Sequence, residues 1–144
     1  EDVQRQSLNI IRLLPALTWK TRVAQVKIVP KGSTIGYDRA FTAIKSMKIV
    51  VLPIGYWDGY DRRLSNKGSV LIHGKKCPVV GNICMNICMV DVTDAGRVRV
   101  GDEVVLLGQQ GTKKITAEEI AVKVGTINYE IIARINPLIP RVLK

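Results

Sequence analysis

The sequence predicts a mostly-β domain, a small β-barrel or sandwich of roughly eight short strands with one short helix. Three observations carry this. First, the apolar runs are short, rich in Val, Ile and Leu, and separated by Gly, Pro or charged turns: Met47 to Leu52, Ser69 to His73, Cys77 to Val80, Ile87 to Val92 and Val104 to Leu107. Second, a capping box followed by helical spacing occurs in one stretch, Thr116 to Val124. Third, 47% of the 144 residues are hydrophobic, enough for one real core. No apolar run approaches the roughly 20 residues that span a bilayer.

In chain order, Ser7 to Leu14 reads as a helical turn or linker that Pro15 ends. Residues 16–29 alternate and are rich in β-branched side chains, so they read as one long strand with a bend. Pro30-Lys31-Gly32-Ser33 is a turn, and Phe41 to Lys45 a candidate strand. Met47 to Leu52 is a buried strand by its nearly unbroken apolar run. Ser69 to His73 and Cys77 to Val80 form a hairpin around Gly74-Lys75-Lys76. Ile87 to Val92 and Val104 to Leu107 are further strands. Thr116 opens the helix, Ile120, Ala121 and Val124 give it one apolar face, and Gly125 stops it. Asn128 to Ile135 is read as a last strand, interrupted by Asn136-Pro137.

Charge and cysteine content bound the partners. The net charge is +10. Such a balance can signal nucleic acid. Here the basic residues are dispersed from Lys20 to Lys144 without a long run or an aromatic-basic repeat. Solvated surface lysines, with one face toward an acidic partner domain, account for the charge, and nucleic acid is not expected. The cysteines are Cys77, Cys84 and Cys88, an odd number, which points to reduced thiols in the cytoplasm. Cys84 and Cys88 lie four apart, but His73 is the sole histidine and no second Cys pair completes a structural zinc set, so no metal is expected. The start, Glu1-Asp2-Val3-Gln4, is polar and acidic, and resembles the middle of a larger protein more than a leader.

The most informative stretch is Gly55-Tyr56-Trp57-Asp58-Gly59. Two glycines mark a chain that turns sharply as it leaves a strand. A tyrosine there can project into a cleft, or the aromatic pair can plug a barrel end. The motif Pro53-Ile54-Gly55-Tyr56-Trp57-Asp58-Gly59 stands with three others: Val80-Gly81-Asn82-Ile83-Cys84-Met85-Asn86, Thr126-Ile127-Asn128-Tyr129-Glu130 and Ile139-Pro140-Arg141-Val142. Together, from about Pro15 to the end, they resemble the C-terminal domain of bacterial alanine racemases, which use pyridoxal phosphate. Ile35-Gly36-Tyr37-Asp38-Arg39 also resembles a short Tyr-Gly element of that family.

The resemblance implies the rest. Residues 1–14 would be the linker from an N-terminal (β/α) barrel that carries the pyridoxal phosphate lysine, and 15–144 the C-terminal β domain. The enzyme would interconvert L- and D-alanine for peptidoglycan as a head-to-tail homodimer. Tyr56 would be the base facing the L-antipode, working in the partner's site. Tyr129 would hydrogen-bond the cofactor phosphate, the Met85 backbone would face the substrate carboxylate, and Asn86 would lie beside it. A free phenol has a pKa near 10, so a basic tyrosine needs cationic or hydrogen-bonding neighbours; Arg62 and Arg63 are the nearest in sequence. Two positions depart from the family pattern: Asn82 often matches Arg, and Asn86 usually matches Asp. An amide at Asn86 donates as well as accepts. That leaves open a serine racemase domain following a membrane domain, and, in another class, a non-catalytic basic β-barrel binding module. The isolated chain is expected to be folded and catalytically silent.

Overall fold

The computed structural model describes residues 14–143. The expected linker, residues 1–14, therefore lies outside the described residues except for Leu14, which is exposed. Ten strands and two helices follow. The strands are β1 (Trp19–Arg22), β2 (Gln25–Val29), β3 (Thr34–Ile35), β4 (Phe41–Thr42), β5 (Met47–Leu52), β6 (Ser69–Ile72), β7 (Lys75–Val80), β8 (Cys88–Asp91), β9 (Glu103–Gln110) and β10 (Lys113–Ile115). The helices are α1 (Ala117–Val124) and α2 (Asn128–Ala133).

The main sheet is antiparallel and runs β1-β9-β6-β7-β8-β5-β2, with β10 added to β9. Its two ends are halves of one chain segment. Between them, Val23 N–H bonds to the Asp102 carbonyl (3.0 Å) and Ala24 N–H to the Val51 carbonyl (2.9 Å). Residues 16–29, expected as one long bent strand, are instead two strands, β1 and β2, which pass from β9 to β5 and close the sheet on itself, removing the exposed edges of an open sheet.

Core packing follows the alternation. Val50, Leu52, Val70, Leu71, Ile72, Cys88, Val90, Val104, Val105 and Leu106 are fully buried in one cluster. A smaller cluster, Ile35, Ala43, Met47, Ile49, Val80 and Met89, underlies the β3–β4 hairpin. Helix α1 begins as foreseen: the Thr116 hydroxyl accepts from Glu119 N–H (3.2 Å), and Gly125 caps it at φ 73°.

Three further expectations need correction. The hairpin of β6 and β7 turns at His73-Gly74, both at positive φ (51° and 72°), so Lys75 and Lys76 belong to the return strand. β10 was not foreseen, because Lys113-Lys114-Ile115 carries too little apolar signal. Residues 128–133 form helix α2, not a strand. Ile131 and Ile135, four apart, are buried; Tyr129 and Ile132 face out; and Glu130 and Arg134 pair across one turn at 2.8 Å. The Thr126 hydroxyl bonds the Glu130 carboxylate and ties down the first turn.

Candidate functional site

Four chain segments converge at one rim of the barrel. Strand β5 delivers Pro53-Ile54-Gly55 into a 3-10 turn, Tyr56–Asp58. The Asp58 carboxylate accepts from Gly55 N–H (2.9 Å), and Gly59 closes the turn at φ 99°. Tyr56 N–H and Trp57 N–H bond the carbonyls of Cys84 (3.1 Å) and Met85 (3.0 Å). Only glycine fits at position 55, since a Cβ there would lie 2.1 Å from the Cys84 oxygen. On the other side, Asn136 N–H bonds the Asp58 carbonyl (3.1 Å), and its side-chain amide donates to the Trp57 carbonyl (3.2 Å). The expected site stretches are therefore neighbours: Tyr56, Met85 and the segment that follows Tyr129 are joined by backbone bonds.

Tyr56 is half-exposed and lines an open cleft of about 350 Å³ with Gly59, Asp61, Arg62 and Arg134. Of the two arginines weighed as its neighbours, Arg63 is held by Asp61 (2.7 Å), whereas Arg62 lines the cleft. A strand over residues 128–135 gives no reason to single out Arg134, whereas helix α2 brings it to Asp61 (3.5 Å). Hydrogen bonds from Arg63 hold the Asp61 carboxyl below the usual carboxylate range, with Arg134 adding to the effect. Its hydrogen bond with Thr126, and then Arg134, lower Glu130 likewise.

Met85 and Asn86 form the exposed tip of the turn that Cys84 N–H closes on the Ile87 carbonyl (2.9 Å). Tyr129 stands 75% exposed on the first turn of α2 and makes no side-chain hydrogen bond among the described residues. Asn82, one of the two departures, is in use: its amide donates to the Tyr37 carbonyl (3.1 Å), and the two residues form an isolated bridge.

That bridge draws Tyr37 into the site. Tyr37 sits at the tip of the β3–β4 hairpin and is 67% exposed. Gly36 packs so closely on Asn82 N (2.9 Å from a built Cβ) that no side chain fits. Asp38 and Arg39, next in the chain, both hold positive φ (58° and 53°), a costly conformation for such residues. The sequence signal was the glycine before Tyr37, visible but weak.

Burial pushes the thiols of Cys77 and Cys88 up to about 11 and about 12, so both stay protonated inside the barrel.

A family model described as "Alanine racemase, C-terminal domain" matches residues 16–143. The chain belongs to this family. Among curated relatives, the alanine racemase of Halothermothrix orenii is 51% identical over 97% of this chain, and that of Carboxydothermus hydrogenoformans 52% over 98%. The chain spans little more than a third of their length (37% and 38%). Solved structures agree. Alanine racemase from E. faecalis superimposes with a TM-score of 0.85 at 36% identity, covering 90% of this chain and 34% of that one. The Bartonella henselae enzyme, solved with covalently bound pyridoxal phosphate, gives 0.82 at 31% identity, covering 88% and 34%. The mostly-β architecture is that of this family's C-terminal domain.

Proposed function

We propose that this chain is the β domain, residues 15–144, of a pyridoxal phosphate-dependent racemase that interconverts L- and D-alanine for peptidoglycan. Residues 1–14 lead from an N-terminal (β/α) barrel, the enzyme is a cytoplasmic head-to-tail homodimer, and the substrate is an amino acid. The relatives support alanine; they lend nothing to the serine racemase or binding-module readings. Among the described residues no helix is long and apolar enough to cross a membrane.

The cleft is lined by Tyr56, Gly59, Asp61, Arg62 and Arg134, and the cofactor's Schiff-base lysine comes from the N-terminal barrel. An exposed phenol is a good donor to a phosphate oxygen, and Tyr129 is such a group. When bound, pyridoxal phosphate supplies the electron sink for the α-carbanion. This domain's task is to present a second base to the face opposite the cofactor lysine. The Met85 backbone N–H faces the substrate carboxylate, with Asn86 beside it at the tip of the same turn.

The observation that carries the reading is the rim itself: exposed phenols fixed on strained or glycine-packed backbone beside the Asn82–Met85 turn. The sequence favoured Tyr56 as the base. The geometry supports Tyr37 more strongly, with Tyr56 as a wall of the same site. A base that acts in a neighbouring subunit must project from its own domain, and Tyr37 is the more exposed of the two (67% against 45%). Its backbone is also held by Asn82, next to a Gly36 packed against Gly81 and Asn82, which suits a group that must be placed to within about 0.5 Å.

The test uses the full-length enzyme loaded with cofactor. Solvent-deuterium exchange at the α-carbon is followed separately from L- and D-alanine. Tyr37→Phe should slow exchange from L-alanine at least tenfold more than from D-alanine, about 1.4 kcal/mol. Tyr56→Phe should change both alike. The reverse pattern returns the base to Tyr56, and no selective loss in either variant removes the base from this domain.

A further inference from the structure

We propose that Asn66 is a positioning residue that locks the Tyr37 hairpin to the turn carrying Met85; the proposal rests on the reading of Tyr37 given above. Asn66 lies just past a second 3-10 turn, Arg62–Leu64, and its cap Ser65, and it holds φ 57°. Asparagine adopts this left-handed conformation more readily than other residues with a Cβ. The backbone so placed aims the side chain across two other segments. Its Oδ1 accepts from Gly81 N–H at 2.7 Å, and its Nδ2 donates to the Ala40 carbonyl at 3.3 Å. Ala40 is the last residue of the Tyr37 loop, and Gly81 opens the stretch that continues through Asn82 to Met85.

The neighbouring side chain extends the clamp. Ser65 Oγ accepts from Ile83 N–H (3.0 Å) and donates to the Arg62 carbonyl (2.5 Å). Alternate amides, 81 and 83, are thus held by consecutive side chains of one turn. Gly81 needs this partner, because it has left β7 at φ 76° and packs on Ile35, where a Cβ would meet the carbonyl oxygen at 2.8 Å. The Tyr37 loop is then gripped at both ends: by Asn82 at the Tyr37 carbonyl and by Asn66 at the Ala40 carbonyl.

Asn66 itself is exposed and buries little. The bond to Ala40 is exposed and contributes modestly to stability, whereas the bond to the buried Gly81 N–H is partly buried and contributes more. The same bonds have a larger effect on placement, since a 1 Å error at a reacting group can cost about a hundredfold in rate. The lock therefore matters to proton transfer by Tyr37 far more than to folding.

Two variants of the full-length, cofactor-loaded enzyme test this. Asn66→Gly keeps the left-handed backbone and removes both side-chain bonds. Asn66→Asp keeps the acceptor for Gly81 and loses the donor to Ala40. Three readouts are needed: α-proton exchange from each alanine antipode, amide hydrogen exchange of residues 80–84, and the thermal midpoint. Asn66→Gly should lower exchange from L-alanine about tenfold and from D-alanine less than threefold. It should unprotect the Gly81 amide and move the midpoint by a few degrees at most. Asn66→Asp should keep the Gly81 amide protected and fall between Gly and wild type in the L-alanine rate. Equal losses for both antipodes, or loss of amide protection with unchanged rates, overturn the proposal. If Tyr37→Phe shows no selective loss, the base assignment has failed; the amide protection then still reports whether Asn66 holds the two turns.

Discussion

Leu71, in the middle of β6, and Gly55, at the rim turn, are both closed to water, and for opposite reasons. Leu71 is buried by other apolar side chains in the barrel interior. Gly55 is buried by backbone: the carbonyls of Cys84 and Met85 occupy the space a side chain would need. In the interior the sequence can change in detail as long as volume is kept, because burial energy scales with area. At the rim, single atoms decide, because the segments are spaced by glycines and fixed by directed hydrogen bonds. The interior makes the domain stable, and the rim makes it specific.

Four substitutions examine that division. Leu71→Ala should cost about 3 kcal/mol of stability by leaving a cavity in the interior. In a urea titration the midpoint should fall sharply, while the folded fraction of the full-length enzyme keeps near-normal kcat. A loss of kcat at full folding would show that interior packing also tunes the rim.

Gly55→Ala inverts the pattern. The new methyl would sit 2.1 Å from one carbonyl oxygen and 2.3 Å from another, so the Tyr56 and Met85 turns must separate. Racemase activity of the full-length enzyme should fall at least a hundredfold, about 2.7 kcal/mol. Gly96→Ala is the control, since nothing among the described residues lies within 4 Å of a Cβ there; its positive φ costs some stability without touching the rim. Similar activity losses in both variants would refute the steric account.

Asp61→Asn probes the rim's electrostatics. The pKa of Asp61 is lowered in the folded state, chiefly by its hydrogen bonds with Arg63. A depressed carboxylate stabilises the fold above its unfolded pKa, near 3.9, and loses that contribution as pH falls through the folded value. The stability gap between wild type and Asp61→Asn should be about 1 kcal/mol at pH 7, kept small by the exposure of Arg63. It should close as the pH drops below about 4. A gap that is constant from pH 7 to pH 3 would assign Asp61 a packing role only.

Tyr60→Phe is the smallest effect and has the opposite sign. The Tyr60 ring meets Trp19 edge-on at 6.0 Å inside the barrel, and neither the phenol oxygen nor the indole nitrogen has a hydrogen-bond partner among the described residues. Burial raises the phenol well above its ordinary pKa, so it stays neutral. Removing an unpartnered buried hydroxyl should leave stability unchanged or raise it by up to about 1 kcal/mol. Chemical denaturation decides it. A clear loss would mean that an ordered water bridges the two aromatic side chains.

The interior was largely legible in the sequence and the rim only partly so. Met47 to Leu52 announces a buried strand by composition, and Thr116 to Gly125 announces a helix by its caps; both signals are local, and both elements are present. The rim motifs were visible as motifs, yet their roles were not. Arg134 became a cleft residue only when residues 128–133 proved helical, although the spacings of Glu130 with Arg134 and of Ile131 with Ile135 were there to be read. Asn82 stood out only as a departure from the family pattern and Asn66 not at all, because nothing local says that one bonds the Tyr37 carbonyl, 45 positions away, or that the other reaches Ala40 and Gly81.

By itself the sequence determined the class of fold and the local signals of turns and helix caps, and its motifs carried the family resemblance. Fold class and caps follow from propensity and spacing, which act over a few residues. The tertiary structure decided that consecutive strands β1 and β2 close the barrel, that Tyr37, Tyr56 and Met85 share a rim, and which arginines line the cleft. These depend on contacts between segments far apart in the chain. Such contacts form only when burial of the barrel interior brings the segments together, and no local pattern encodes the distance between them.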